Sequence, residues 1–80
     1  MRTTAKVYKG YGCEDLVVRR EIGGGSTMER LNIDRTYYGP EWCEKHDMKI
    51  VETITADNGE TFNVWKKGYE LACAIPVKEG

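Results

Sequence analysis

Apolar and polar residues alternate along most of this chain, and glycine-rich points interrupt the alternation. Residues 3–9 and 15–22 are rich in β-branched and aromatic side chains, and Gly10-Tyr11-Gly12 between them suits a turn with unusual backbone angles. Two antiparallel strands are expected there. Residues 50–56 and 61–65 flank Asp57-Asn58-Gly59-Glu60, whose Asn-Gly pair predicts a type I′ hairpin turn. Lys66-Lys67-Gly68 turns the chain again, and residues 69–75 return as a strand until Pro76, which lacks a ladder donor and suits an edge or a strand end. The last third therefore reads as a three-stranded meander.

The middle of the chain carries two competing signals. Ser26-Thr27-Met28-Glu29 has the capping-box spacing that opens helices, whereas Leu31, Ile33 and Arg35 alternate as a strand would. The balance tips to a short helix in residues 26–36. Gly39-Pro40-Glu41 starts a second helix, because proline suits the first turn and a carboxylate suits the positive end of the helix dipole. About two turns are expected, over residues 40–47, with Trp42, Cys43 and His46 on one side. The fold class expected is α+β, a small antiparallel sheet of four to five strands with one or two short helices; the alternative is a mostly β chain with a single short helix. Gly23-Gly24-Gly25-Ser26 is a flexible loop too short to separate domains, so residues 1–80 form one domain.

Charge and composition narrow the function classes. Twelve basic and thirteen acidic residues give a net charge of −1, which removes the global attraction of a dedicated nucleic-acid or membrane-surface binder. An apolar fraction of 40%, with no low-complexity tract, argues against disorder. There is no apolar run long enough to span a membrane, and Met1-Arg2-Thr3-Thr4-Ala5-Lys6 lacks the hydrophobic stretch of a signal peptide. A cytoplasmic location with no membrane contact is expected. Cys13, Cys43 and Cys73, an odd number at long intervals, do not form the paired framework of a secreted domain, and reduced thiols are the default.

Each chemically suggestive cluster has a structural counterpart. Cys43 and His46 share a C-x-x-H spacing, and Cys13 and Cys73 could complete a tetrahedral zinc site, but small buried cysteines account for the same residues. Cys43 beside His46 also permits a thiolate-imidazolium nucleophile, without an orienting third group or oxyanion donors. Gly23-Gly24-Gly25-Ser26-Thr27 could present backbone N–H groups to a phosphate, yet no lysine follows the glycines. A mobile loop is the simpler account. No metal, cofactor or catalytic residue is assigned, and the chain is expected not to be an enzyme.

Two clusters point to binding. Glu41, Glu44 and Asp47 recur every three residues beside Trp42 and just after Tyr37-Tyr38, an acidic ridge flanked by aromatics such as a binder aimed at a basic surface would carry. The plain counterpart is a solvated helix face over an aromatic core. Tyr8-Lys9-Gly10-Tyr11 and Trp65-Lys66-Lys67-Gly68-Tyr69, extended by Arg19-Arg20, have the aromatic and basic composition of a single-stranded nucleic-acid platform. Cross-strand aromatic pairs explain them equally well.

The favoured expectation is a small protein-binding module that occludes a basic, nucleic-acid-handling surface of a larger protein or protein–nucleic acid complex. Its analogy is with stoichiometric inhibitors made by phages and mobile elements, anti-CRISPR proteins among them, an analogy of kind and not of sequence. A single-stranded nucleic-acid binder and a zinc-stabilised accessory domain are the alternatives. Homodimerisation through an uncovered edge strand is open as well, with Pro76 and Lys78 placed to discourage it. Mutual burial of Trp42 and Trp65 would undercut both binding clusters, and exposure of either would mark the working face.

Overall fold

A computed structural model describes residues 2–77; Met1 and Lys78 to Gly80 lie outside the described residues. Six strands are formed, β1 (Arg2–Gly10), β2 (Cys13–Ile22), β3 (Gly25–Ile33), β4 (Lys49–Thr55), β5 (Thr61–Lys67) and β6 (Leu71–Pro76), with one helix, α1 (Gly39–Lys45), between β3 and β4. They make one mixed sheet in the order β1-β2-β3-β6-β5-β4. Each half is an antiparallel meander, and the halves join where β3 runs parallel to β6, Asn32 opposite Cys73 and Ile33 opposite Ala74. The sheet curls until its two edges approach, and the Asp57 N–H donates to the Ala5 carbonyl at 2.9 Å. The chain is thus mostly β with one short helix, six strands in place of the four or five expected.

The period-2 pattern decides which side chains enter the curl. Ala5, Leu16, Val18, Leu31, Ile33, Ile54, Phe62, Val64 and Ala74 face inward, joined by Ala56, and form the main core. Trp65 and Ile75 have the opposite parity and face outward. A strand apolar on both faces needs a second cover, and α1 supplies it: Cys43, Met48, Trp65 and Ile75 form a smaller core between helix and sheet.

Three local expectations are corrected. Residues 26–36 do not form a helix; Gly25–Ile33 is a strand, because Gly23 and Gly24 at φ 35° and 88° close a two-residue hairpin with Ile22 opposite Gly25. Within that hairpin the Ser26 to Glu29 spacing is spent on strand pairing, with Glu29 opposite Val18. The Asn58-Gly59 turn is not type I′, since Gly59 alone has positive φ (91°). It is a three-residue loop of the type I plus bulge kind, closed by Ala56 N–H to the Glu60 carbonyl at 2.8 Å and Gly59 N–H to the Ala56 carbonyl at 3.0 Å. Pro76 ends β6, an interior strand, so the sheet edges are β1 and β4 and owe nothing to it; Lys78 lies outside the described residues.

Ion pairs stand at both mouths of the curl. At one, Arg20 makes a two-pronged bond to Glu52, one prong at 3.0 Å, and stands 3.8 Å from Glu29, which accepts from Lys66 at 2.6 Å. At the other, Arg35 donates to Glu14 at 2.7 and 3.1 Å and to Glu60 at 2.6 and 2.9 Å, its guanidinium 5.9 Å from the centre of the Phe62 ring. Hydrogen bonds from Arg35 hold the Glu14 and Glu60 carboxyls below the usual carboxylate range. A depressed folded pKa stabilises above the unfolded value of about 4.3 and loses that stabilisation as pH falls through the folded value. The melting-temperature gap between the parent chain and Arg35→Gln should therefore be widest near neutral pH, a few degrees, and close as pH falls from about 5 to about 2. A gap independent of pH would show that Arg35 acts through packing on Phe62 and not through its carboxylates.

Candidate functional site

The candidate site is α1 and the loop that leads into it. Asp34 opens the loop: its N–H donates to the Ala74 carbonyl at 3.0 Å, and its carboxylate accepts from the Thr36 N–H at 2.9 Å and the Thr36 hydroxyl at 2.6 Å. This side-chain turn swings the backbone off β3 and across the outer face of β6. Gly39 is buried where the helix begins. A Cβ there would stand 3.3 Å from the Asp34 Cγ and 3.4 Å from the Ile75 Cδ1, so the helix start packs closely against both.

The end of α1 is as closely specified. Met48 N–H donates to the Cys43 carbonyl at 3.0 Å and Asp47 N–H to the Glu44 carbonyl at 3.1 Å, the bond pair of a Schellman C-cap, with Met48 packed against Cys43 in the small core. Asp47 fills the left-handed position of that motif at φ 59°, the one non-glycine residue with positive φ among those described. Glycine would hold this position with less strain.

Gly39 and Cys43 are buried against the sheet, and the remaining helix residues are exposed. Tyr37 and Tyr38 are 74% and 65% exposed with their rings edge to face, centroids 5.1 Å apart, and Trp42 is 46% exposed with the His46 ring tilted at 43° against it, centroids 4.2 Å apart. Glu41, Glu44 and Asp47 are all exposed. Two grooves flank the helix. One, of about 510 Å³, lies over Trp65 and Ile75 and is bordered by Tyr37, Pro40, Glu41 and Val77. The other, of about 330 Å³, runs past Tyr38 and Trp42 to Leu71 and Cys73. Trp65 itself is 7% exposed, and its buried indole N–H meets no hydrogen-bond acceptor among the described residues. All six residues of the acidic-aromatic cluster thus lie together on this side of the molecule.

The nucleic-acid cluster is dispersed. Trp65 is buried under α1, and Arg20 and Lys66 point into the curl, bound to Glu52 and Glu29. Tyr8, Lys9, Tyr11, Arg19, Lys67 and Tyr69 are exposed, but the turn at Tyr11 and the turn at Tyr69 leave the sheet in opposite directions, because β1 runs antiparallel to β2 and β5 antiparallel to β6 on either side of the parallel β3–β6 junction. The two turns do not form one platform. Arg19 stands 3.7 Å from Glu21.

The cysteine cluster is rearranged too. Cys43 and Cys73 meet with sulfurs 3.3 Å apart, while Cys13 is exposed at the β1–β2 turn and His46 lies against Trp42, so no three His, Cys, Asp or Glu side chains converge as metal ligands among the described residues. Burial raises the Cys43 thiol pKa, the opposite of what a thiolate nucleophile requires. Gly23 to Thr27 closes a hairpin and opens a strand, so no helix end meets a phosphate there. Among the described residues no helix is long and apolar enough to cross a membrane.

Sequence reasoning missed the two grooves and the Cys43–Cys73 contact. The available signal was the parity of β5 and β6: Trp65, Cys73 and Ile75 oppose the inward Val64 and Ala74, which marks an outer apolar stripe in need of a helix carrying its own small apolar residue. Comparison with known proteins finds no matching family model, curated protein or solved structure.

Proposed function

We propose that the chain is a non-enzymatic protein-binding module whose α1 face docks on a basic, nucleic-acid-handling surface of a larger protein and blocks it by occlusion. The observation that carries this reading is the joint exposure of Tyr37, Tyr38 and Trp42 beside Glu41, Glu44 and Asp47 on a single helix, its lead-in loop and its C-cap. Exposed aromatics serve as anchors, and carboxylates steer encounter with positive charge. A typical interface of about 800 Å² per partner would occupy roughly a seventh of the 5906 Å² surface. Asp47 adds support, because a strained left-handed aspartate persists where glycine would be easier.

The test is capture from a lysate, with and without nuclease treatment, by the tagged chain, with the double reversal Glu41→Lys and Glu44→Lys run in parallel. A partner recovered near one-to-one stoichiometry, lost with the reversal and unable to hold nucleic acid while bound, is the expected result. Capture that survives charge reversal, or that disappears on nuclease treatment, would overturn the reading; the second outcome would move the exposed tyrosines and lysines of the hairpin turns to first place. Asp47→Gly separates the two duties of that residue: it should melt higher by a few degrees and bind less well.

A further inference from the structure

Cys43, on the underside of α1, and Cys73, on the outer face of β6, are both free thiols with sulfurs 3.3 Å apart. They stand thirty positions apart in sequence and are brought together by the packing of helix on sheet. We propose that Cys43 and Cys73 are a disulfide-forming site, oxidised by a small disulfide such as glutathione disulfide to a cystine that ties α1 to β6. The sulfurs need to close by about 1.3 Å to reach bonding distance, a movement that side-chain rotation supplies without separating helix from sheet. Cys13, exposed at the β1–β2 turn, takes no part.

The order of events follows from access. Cys43 is fully buried, whereas Cys73 is partly exposed and lines the groove of about 330 Å³ beside Tyr38, Trp42 and Leu71. Cys73 loses its proton to solvent, and its thiolate attacks one sulfur of glutathione disulfide; the S–S bond breaks and one glutathione leaves as thiolate. Cys43 then gives up its proton and attacks the Cys73 sulfur, releasing the second glutathione. In balance, two cysteine thiols lose two protons and two electrons, and one glutathione disulfide becomes two glutathione thiols.

The surroundings set the rate. Burial, then the Cys43 neighbour, push the Cys73 thiol up to about 12, and burial raises Cys43 as well. Thiolate is scarce at neutral pH, so the exchange is slow and speeds up by about tenfold per pH unit over the range where the thiol stays protonated. The pair is a slow staple for the helix and not a fast peroxide sensor.

The experiment treats the full chain carrying Cys13→Ser with glutathione disulfide at pH about 7 and about 9, followed by alkylation, intact mass and peptide mapping. The expected product is lighter by two hydrogens, has no alkylated cysteine, yields a peptide joined through Cys43 and Cys73, forms faster at the higher pH, and melts about 10 °C or more above the reduced chain. The double variant Cys13→Ser, Cys73→Ser should leave Cys43 unmodified under the same treatment. A persistent glutathione adduct on Cys73 without the internal bond, or two thiols that remain alkylatable after the pH 9 treatment, would overturn the proposal. None of these outcomes depends on what α1 binds, so the staple and the docking reading fail separately.

Discussion

Phe62→Ala is expected to move the cooperative thermal transition far below that of the parent chain, one of the two largest stability effects expected of a single truncation. Phe62 has no solvent exposure, sits on β5 between Ile54 of β4 and Pro76 of β6, and is the largest side chain fully enclosed by the curled sheet. Truncating a buried phenylalanine removes its transfer free energy and leaves a cavity, a loss of about 3–5 kcal/mol. An 80-residue domain has on the order of 4–12 kcal/mol of total stability. At about 4–8 °C per kcal/mol the melting point should fall by some 12–40 °C, visible by near-ultraviolet circular dichroism or calorimetry. Phe62→Leu, which keeps most of the volume, should lose only about 1 kcal/mol. A Phe62→Ala variant melting within a few degrees of the parent would mean that the inward register positions are not the core that holds the sheet.

Local structure was legible wherever a short segment decides its own shape. The β1–β2 and β4–β5 hairpins, the strand at β6 and the helix start at Gly39-Pro40-Glu41 all follow from alternation and turn residues close in sequence. Between β2 and β3 the local signals conflicted, and pairing of Leu16 with Leu31 across the Gly23-Gly24 turn overrode a helix cap whose value is about 1 kcal/mol. The parallel β3–β6 junction was beyond local reasoning, because Asn32 and Cys73 meet only after a helix and two strands have intervened.

The candidate sites divide on the same line. Arg20 and Lys66 resemble nucleic-acid ligands in isolation, yet Arg20 has the parity of Leu16 and Val18, and Lys66 that of Phe62 and Val64, which places both on the inner face. Their counter-charges, Glu29 and Glu52, share the parity of Leu31 and Ile54 in the same way. Opposite charges on matched core-register positions were the available sign of an ionic plug. The residues of the α1 cluster stay exposed because three-residue spacing keeps Glu41 and Glu44 away from the apolar face, while Cys43 and Met48 supply the cover that Trp65 needs.

The two tryptophans should therefore behave in opposite ways, and Trp42→Ala carries the largest effect expected on binding. Trp42 is 46% exposed and touches His46, so its loss should lower the melting temperature by no more than about 8 °C. An aromatic anchor at the centre of an interface contributes about 2 kcal/mol or more, so capture of the basic partner should weaken by about 30-fold or more. Trp65→Ala, by contrast, opens the joint between α1 and the sheet and should cost about 3–5 kcal/mol of stability. Trp65→Phe, which keeps an aromatic ring in the joint, should cost far less. Titration of both alanine variants against the captured partner, beside their melting curves, separates anchor from core. If Trp42→Ala melts as low as Trp65→Ala, Trp42 holds the helix and the acidic ridge must dock without it. If Trp42→Ala folds normally and binds with unchanged affinity, the partner contacts another face and α1 is only the lid over β5 and β6.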